Sequence, residues 1–339
     1  MQTIAKLGWP LQRRRQRVTG KIVAILGTRY RNFEIEEEVL AQTGAAIVSG
    51  PGSTSDEIAE VAGDADVILT GSGPRFDAAT IGRLRCAGIV RSGVGVETID
   101  LEAASAAGMW VARVADYGTE AVALHTVTLC LAAIRGLVVA DRSVRAGTWG
   151  FAPLRPLHLP VELRAGVVGF GRIGRRTAEL LRSIGFQVSA HDPLAPIDEP
   201  GVASAELDEL LRTSDVLTLH APPPTDRSFL VGERELATMK EGSILVNTAR
   251  GALIDQDALV SALRTGRPGT AALDVYASEP LDPSTFDDVA DKVILTPHMA
   301  WYTEESERDL REKAALEARR LLEGERPRDV VAEPAAVRA

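Results

Sequence analysis

Short runs of apolar residues rich in Val, Ile and Leu alternate along the chain with longer segments in which apolar residues recur at helical spacing. Four runs in the first part of the chain predict strands: KIVAILG, AAIVSG, DVILTGSG and GIVRSGVG. The segments between them predict helices: FEIEEEVLAQTG, TSDEIAEVAGDA and DAATIGRLRCAG. Strands that alternate with helices in this way are typical of a parallel sheet in an α/β domain.

A second alternation of the same kind begins at Ala165. Its predicted strands are AGVVGFG, FQVSAHD, DVLTLHAP, SILVNTARG, TAALDVYASEP and KVILTPHMA, with helices such as RRTAELLRSIG and DQDALVSALRTG between them. A long apolar helix from about Thr119 to Ala140 and the Pro- and Gly-rich loop AGTWGFAPLRPLHLP precede it. The pattern therefore predicts an α/β protein with two doubly wound parallel-sheet domains.

The last predicted helix, TEESERDLREKAALEARRLLEG, is amphipathic, and a short polar tail follows it. Leu310, Ala314, Leu321 and Leu322 share one of its faces, opposite Arg and Glu residues. The length of 339 residues agrees with two domains, because single hydrophobic cores stop growing at about 250 to 300 residues. A hydrophobic content of 45% with 25% charged residues is typical of a soluble globular protein.

The net charge of −9 opposes binding to nucleic-acid phosphates and to anionic membranes. The exception is the arm of residues 1–20, which has no acidic residue and carries Arg13, Arg14, Arg15 and Arg17. We interpret this arm as a disordered terminus, with a nucleic-acid or targeting tail as the alternative.

The two cysteines, Cys86 and Cys130, lie far apart in the sequence and predict neither a disulfide framework nor a zinc site. We therefore expect a cytoplasmic protein that holds no metal. The longest apolar stretch, AVALHTVTLCLAAIRGLVVA, is interrupted by polar residues that include His125 and Arg135. We interpret it as a buried helix and not as a membrane span.

A glycine-rich turn opens the second alternation: VVGFGRIGRR places Gly169, Gly171 and Gly174 in a G-x-G-x-x-G arrangement between a predicted strand and a predicted helix. Glycines there let the backbone approach a pyrophosphate, which lies at the helix N-terminus. Asp192 ends the next predicted strand, where a carboxylate accepts hydrogen bonds from a ribose and repels a 2′-phosphate. This context predicts an NAD site; the alternative is a glycine-rich turn with a surface aspartate nearby.

Three further polar residues follow predicted strands of the same unit: Arg250, Glu279 and His298. Because parallel sheets bind ligands at the carboxyl ends of their strands, we expect these residues to converge beside a bound nicotinamide. Hydride transfer to a keto acid uses such a set, since a guanidinium polarises the carbonyl and an imidazolium stabilised by a carboxylate donates a proton. Each residue alone is more often a solvated or capping side chain, but the coincidence of three favours a catalytic site.

These motifs resemble one family, the D-isomer-specific 2-hydroxyacid dehydrogenases. The matching stretches are RSGVGVETID, DYGTEAVALHT, GVVGFGRIGRR, MKEGSILVNTARGALID, AALDVYASEP and TPHMAWYTEES. The resemblance extends from Lys21 to near Val331. Within the family, TPHMAWYTEES and IVRSGVG are most similar to the branch of the C-terminal binding proteins and their bacterial dehydrogenase relatives.

The resemblance implies that His298 is the proton donor, that Glu279 is its carboxylate partner and that Arg250 binds and polarises the substrate. It implies that the substrate is also contacted by Arg91, Gly93, Val94 and Trp301. It implies that the cofactor is bound by Thr119, Gly169, Gly171, Arg172, Ile173, Gly174, Asp192, Ala221, Thr225, Thr248, Ala249 and Asp274.

The fold implied by the resemblance is a flavodoxin-like substrate domain of residues 21–114 and 302–332, into which a Rossmann NAD-binding domain of residues 115–301 is inserted. It also implies a homodimer with the long helix after Thr119 at the interface. We expect no C-terminal regulatory domain after residue 330, and this expectation disfavours the long, serine-regulated type of phosphoglycerate dehydrogenase.

Two departures from the family pattern weaken the inferences on substrate and oligomer. Glu97 and Thr98 stand where the family commonly has Asp-Asn, and Leu124 precedes His125 where an acidic residue is frequent.

Two functions are compatible with these observations. The first is NAD-dependent interconversion of a small 2-keto acid and its D-2-hydroxy acid. The second is an NAD-sensing interaction protein like the corepressors of the same branch. The sequence favours the enzyme, because a pure binding module has no need of a positioned acid, carboxylate and guanidinium.

Overall fold

The structure of the protein is a computed structural model that describes residues 20–335 except residues 29, 225 and 227. The predicted disordered arm of residues 1–20 therefore lies outside the described residues, apart from Gly20. The described residues form two compact units. The first unit comprises residues 20–118 and 303–335, and the second comprises residues 119–302.

The chain passes between the units after Gly118 and after Tyr302, whereas the sequence placed these points after residues 114 and 301. The boundary after Gly118 lies later in the chain than predicted, because the segment before it packs within the first unit. Asp116 pairs with Lys313 at 3.0 Å, and the Ser306 hydroxyl donates to the Tyr117 carbonyl at 3.4 Å.

The strands are β1 (Ile22–Leu26), β2 (Ala46–Gly50), β3 (Val67–Thr70), β4 (Gly88–Arg91), β5 (Trp110–Arg113), β6 (Arg164–Val168), β7 (Gln187–His191), β8 (Val202–Ser204), β9 (Val216–Leu219), β10 (Ile244–Asn247), β11 (Thr270–Leu273), β12 (Val293–Leu295) and β13 (Val330–Ala332). The α-helices are α1 (Glu34–Leu40), α2 (Ser55–Ala62), α3 (Ala78–Ile81), α4 (Leu101–Ala106), α5 (Thr119–Ile134), α6 (Leu137–Arg145), α7 (Arg172–Ile184), α8 (Leu207–Thr213), α9 (Glu233–Thr238), α10 (Gln256–Thr265) and α11 (Glu304–Leu322).

The sheet of the first unit has the strand order β13-β5-β4-β3-β1-β2. Strands β1 to β5 are parallel in the order 2-1-3-4-5, which is that of flavodoxin-like folds. Strand β13 is antiparallel to β5. Fully buried residues such as Ile68, Phe76 and Ile89 form the core, so the carboxyl end of β4 is held on a rigid support.

The sheet of the second unit is parallel throughout, in the order β12-β11-β10-β9-β6-β7-β8. This is the Rossmann arrangement, in which the connections reverse direction between β6 and β9. Successive residues of a strand enter apolar layers on opposite faces, as Leu245 and Val246 of β10 do. The predicted fold class, two doubly wound parallel-sheet domains, is confirmed.

The prediction of one apolar helix from Thr119 to Ala140 is wrong. Helix α5 ends at Ile134, and Gly136 adopts a left-handed conformation (φ 56°, ψ 30°) from which α6 starts in a direction bent by 58°. Glycine adopts this conformation without a steric penalty, so the helix breaks there. Over residues 20–335, no single helix is long and apolar enough to cross a membrane; only this bent pair passes by length and composition.

Two strands of the first unit were not predicted. Strand β5 has four residues, and β13 has three and lies in the segment expected to be a polar tail. An ion pair between Arg113 and Asp329 at 3.2 Å accompanies their pairing. Runs this short show no period that distinguishes a strand from a loop, so only the tertiary contact defines them.

The last helix, α11, has the predicted apolar face. Leu310, Ala314, Leu321 and Leu322 are all buried, and the helix packs against α1 and against the sheet at β3 and β4. Its start is capped by Thr303, whose hydroxyl accepts the Ser306 amide at 3.0 Å.

Candidate functional site

The three glycines of the turn after β6 have different surroundings. Gly169 has a φ of 90°, and a Cβ there would lie 2.5 Å from the Ala221 nitrogen. A Cβ at Gly174 would collide with the Gly169 carbonyl oxygen, so α7 packs closely on the turn. A Cβ at Gly171, the N-cap residue of α7, would have no described atom within 4 Å apart from its chain neighbours. The turn therefore fits a pyrophosphate at the helix N-terminus.

Asp192, at the end of β7, ties this turn to the next one. Its Oδ2 accepts the Phe170 amide at 2.7 Å, and its Oδ1 accepts the amides of Leu194 and Ala195 at 2.8 and 3.0 Å. Burial raises the pKa of Asp192, but these backbone donors together outweigh it and lower the pKa below the ordinary value. The ionised carboxylate still has lone pairs that can accept ribose hydroxyls.

The other residues assigned to the cofactor lie at the carboxyl ends of neighbouring strands or at helix starts. Ala221 follows β9, Thr248 and Ala249 follow β10, Arg172 and Ile173 begin α7, and Thr119 begins α5. The buried Thr248 hydroxyl lies 2.7 Å from that of Thr126. Thr225 lies outside the described residues.

Glu279 and His298, which follow β11 and β12, are in contact. His298 Nδ1 lies 2.6 Å from Glu279 Oε2, and Glu279 Oε1 accepts the Tyr276 amide at 3.1 Å. The two side chains are 46% and 35% exposed, so a small molecule can reach them. Because Nδ1 contacts the carboxylate, Nε2 is the ring nitrogen that remains for a reacting oxygen.

Asp274, which the sequence assigned to the cofactor, makes contacts of a different kind. It is fully buried, and its carboxylate accepts hydrogen bonds from the Thr296 hydroxyl and from the amides of Met299 and Ala300. These donors flank His298 in the loop after β12, which we call the His298 loop (residues 296–300). In this structure Asp274 holds the His298 loop.

Arg250 follows β10, the strand next to β11. Its Nη1 donates to the Ala249 carbonyl at 2.8 Å, and the Asn247 side-chain amide donates to the Arg250 carbonyl at 2.8 Å. Strands β10, β11 and β12 are adjacent and parallel. Arg250, Glu279 and His298 therefore lie at the same edge of the sheet.

Arg91, Gly93 and Val94 form one turn of the first unit, at the carboxyl end of β4. The Arg91 guanidinium donates to the Ser92 carbonyl and folds over Gly93. A Cβ at Gly93, whose φ is 139°, would lie 2.7 Å from Arg91 Nη1. The absence of a side chain at Gly93 therefore leaves room for the Arg91 guanidinium in its observed position.

Trp301, at the end of the second unit, makes an edge-to-face contact with Tyr302. The ring centroids are 5.7 Å apart and the ring planes meet at 85°. The indole is partly buried, and its predicted role at the substrate stays a prediction.

Comparison with known proteins identifies the family. Residues 127–300 match the profile of the D-isomer specific 2-hydroxyacid dehydrogenase, NAD binding domain. The chain belongs to this family. The second unit is thus the NAD-binding domain of a D-isomer specific 2-hydroxyacid dehydrogenase, and NAD is confirmed as the cofactor.

Individual relatives carry different names. A D-3-phosphoglycerate dehydrogenase of Archaeoglobus fulgidus is 34% identical over 277 residues, which are 80% of this chain and 52% of that protein. The chain thus spans about half the length of this relative. A glyoxylate reductase of Aeropyrum pernix is 38% identical over 282 residues, which are 79% of this chain and 83% of the relative.

A solved structure of D-lactate dehydrogenase from Aquifex aeolicus, complexed with NAD and lactic acid, covers 92% of this chain and 100% of its own. Its TM-score is 0.79 at 26% identity. The assignment of this chain to the branch of the C-terminal binding proteins stays a prediction.

Two further histidines of the chain differ in their surroundings. Burial lowers the pKa of His220 to about 4, so its imidazole is neutral at physiological pH. His158 is exposed in the loop before β6. Among residues 20–335 with the stated gaps, no three His, Cys, Asp or Glu side chains are grouped to hold a metal ion.

Two residues near His298 were not selected from the sequence. Thr296 lies between β12 and His298, and its hydroxyl contacts Asp274. His125 of α5 lies 3.2 Å from that hydroxyl. A single histidine in an apolar helix was the available signal for His125, but the sequence does not show which strand end it faces.

We expect Asp192→Ala to weaken NADH binding and to reduce the discrimination against NADPH. The variant loses an acceptor for the ribose and the negative charge that repels a 2′-phosphate. Loss of one charge-assisted hydrogen bond, about 1.5–3 kcal/mol, corresponds to a factor of about 10 to 100 in Kd. Fluorescence titration with each dinucleotide measures the two values.

Asp192→Asn is the matched variant, because it keeps the side-chain shape and one acceptor oxygen, while it removes the charge and one of the two oxygens that accept backbone amides. We expect it to bind NADH better than Asp192→Ala and to tolerate NADPH similarly. An unchanged ratio of NADH to NADPH affinity in both variants would contradict the ribose assignment.

Proposed function

We propose that the protein is an NAD-dependent dehydrogenase that interconverts a small 2-keto acid and its D-2-hydroxy acid. The observation that supports this most is the contact of 2.6 Å between His298 and Glu279 at the carboxyl edge of an NAD-binding sheet. A carboxylate beside an imidazole stabilises the protonated ring, which is the form that donates a proton. A module that only binds dinucleotide has no use for this pair.

The turn after β6 and Asp192 would hold NAD, whose nicotinamide would supply or accept the hydride. In reduction, His298 Nε2 gives its proton to the C2 oxygen; in oxidation, it takes the proton from the hydroxyl. Glu279 orients the ring through Nδ1 and is itself held by the Tyr276 amide. Arg250 binds the substrate through its guanidinium and polarises the C2 carbonyl.

We propose that the turn of Arg91, Gly93 and Val94 binds the substrate carboxylate. In this proposal Arg91 supplies the charge, and the backbone amides around Val94 supply further hydrogen bonds. Trp301 contacts the rest of the substrate in this proposal. The similarity to a glyoxylate reductase over 79% of the chain supports a short substrate such as glyoxylate.

The test is turnover of a panel of 2-keto acids with NADH, followed at the NADH absorbance. We expect glyoxylate and pyruvate to be reduced, with products of D configuration wherever C2 is a stereocentre. NADH binding without turnover of any keto acid would contradict the enzyme. That result would favour an NAD-sensing interaction protein of the corepressor type, which the proposed branch of C-terminal binding proteins includes.

We also propose that the protein is a homodimer. Segment 137–161 of the second unit exposes large apolar side chains, which soluble surfaces rarely group in one stretch. They include Leu137 at 60%, Trp149 at 90%, Phe151 at 63% and Leu159 at 64% exposure. A second copy of the chain that packs on this segment buries them.

We expect Trp149→Glu to shift the protein from dimer to monomer, because a carboxylate in an apolar interface loses its hydration. Light scattering after size exclusion gives the mass. Leu194→Glu is the control, since Leu194 is equally exposed at 90% but lies outside segment 137–161. A wild-type monomer, or a dimer that Trp149→Glu leaves intact, would contradict the proposed interface.

A further inference from the structure

His298 has a backbone conformation that few side chains adopt. Its φ is 51°, in the left-handed region, and no other non-glycine residue among those described has a positive φ. A side chain on Cβ makes this region unfavourable, and such conformations persist only where surrounding contacts hold them. The contacts that hold His298 therefore also determine where its imidazole lies.

The buried carboxylate of Asp274 holds both sides of His298. Its Oδ1 accepts the Thr296 hydroxyl at 2.7 Å and the Met299 amide at 2.9 Å, and its Oδ2 accepts the Ala300 amide at 2.9 Å. The Asp274 carbonyl accepts the His298 amide at 2.8 Å. One residue at the end of β11 thus receives four hydrogen bonds from the His298 loop.

Thr296 connects this carboxylate to helix α5. Because its single hydroxyl hydrogen is donated to Asp274, its oxygen is left as an acceptor for His125 Nε2 at 3.2 Å. Burial lowers the pKa of His125 more than the nearby Asp274 raises it. Because the Thr296 oxygen is left only as an acceptor, this contact assigns a proton to His125 Nε2.

We propose that His125, Thr296 and Asp274 are positioning residues that hold His298 in the left-handed conformation from which Nδ1 reaches Glu279. None of the three exchanges a proton with the substrate in this proposal. This inference rests on the proposed function in one respect, which is that His298 is the proton donor. Its structural part, the control of the His298 backbone, stands on the hydrogen bonds alone.

The experiment compares three threonine variants. Thr296→Val keeps the shape and removes the hydroxyl, and Thr296→Ser restores it. Thr177→Val is the matched control, because Thr177 is fully buried in α7 and its hydroxyl has no partner among the described residues. The measurements are kcat for glyoxylate reduction, Kd for NADH and the melting temperature.

We expect Thr296→Val to lower kcat about 10- to 100-fold, as displacement of a catalytic group by about 1 Å does, with an unchanged Kd for NADH. Thr296→Ser and Thr177→Val should retain kcat within about twofold of wild type. His125→Phe, which keeps a ring and removes the donor, should lower kcat about tenfold. Wild-type kcat in Thr296→Val would overturn the proposal, and wild-type kcat in His125→Phe would remove His125 from it.

A double variant separates positioning from general stability. If Thr296 acts through His298, adding Thr296→Val to His298→Gln should cause no further loss of kcat, whereas independent effects multiply. A multiplied loss would overturn the proposal.

If wild type reduces none of the keto acids, the proposed function fails, and crystal structures of wild type and Thr296→Val decide the inference separately. A left-handed His298 in wild type that changes conformation in the variant supports it. A His298 backbone that is the same in both overturns it.

Discussion

His298→Gln is expected to lower kcat for keto-acid reduction by about 10² to 10⁴, the usual contribution of a general acid. The amide side chain of glutamine approximates the reach of the imidazole but has no proton that it can give up at neutral pH. The Kd for NADH should change little, because His298 lies after β12, and the pyrophosphate turn and Asp192 lie after β6 and β7. Stopped-flow or steady-state assays with glyoxylate measure kcat.

His158→Gln is the control for this experiment, since His158 is an exposed histidine outside the candidate site. It should retain wild-type kcat. A His298→Gln variant within about fivefold of wild-type kcat would remove His298 from the reaction. Glu279→Gln keeps a hydrogen-bond acceptor near Nδ1 but no charge. Its kcat should lie between the values of His298→Gln and His158→Gln, because it loses the stabilisation of the imidazolium.

The sequence was sufficient for the parts of the site that local patterns determine. The glycines of the turn after β6 and the place of Asp192 depend on a strand, a turn and a helix that are consecutive in the chain. Arg250, Glu279 and His298 were found because each follows a strand, and the carboxyl ends of parallel strands share one edge. The contact between Glu279 and His298 then required only that β11 and β12 be neighbours, as they are.

The parts that were missed depend on contacts between distant segments. Thr296 was not selected and Asp274 was assigned to the cofactor, because their hydrogen bond joins residues that follow two different strands, and no periodicity reveals it. The bend at Gly136 was missed because a glycine inside an apolar run is also tolerated within a helix. Strands β5 and β13 were missed because runs this short show no period, and β13 pairs with a strand far from it in the sequence.

The first unit contains another contact between distant segments that the sequence did not predict. It is an ion pair buried between α1 and α11. Arg311 Nε and Nη2 donate to the two oxygens of Glu36 at 2.9 and 2.7 Å, and Nη2 also donates to the Asn32 carbonyl at 2.7 Å. The side chains are only 8% and 1% exposed. The guanidinium also lies 4.4 Å from the Tyr30 ring centroid. In the sequence, Arg311 belonged to a helix whose charged residues were expected on the solvent side.

We expect Arg311→Met to destabilise the protein by about 3–5 kcal/mol, because it leaves the Glu36 carboxylate buried without its counter-charge. Arg308→Met is the matched control, since Arg308 lies on the same helix but its pair with Glu312 is exposed, and it should leave the midpoint of urea unfolding nearly unchanged. The midpoint of urea unfolding, followed by circular dichroism, measures both changes.

The double variant Glu36→Leu with Arg311→Met separates the loss of the pair from the loss of packing. With both charges gone, no buried carboxylate is left unpaired, so most of the stability lost in Arg311→Met should return. The contact with Tyr30 is lost in both variants, so a double variant that is less stable than Arg311→Met would show that the shape and hydrogen bonds of the Glu36 side chain matter more than its unpaired charge. An Arg311→Met variant as stable as Arg308→Met would show that Glu36 finds another partner or water when the guanidinium is removed.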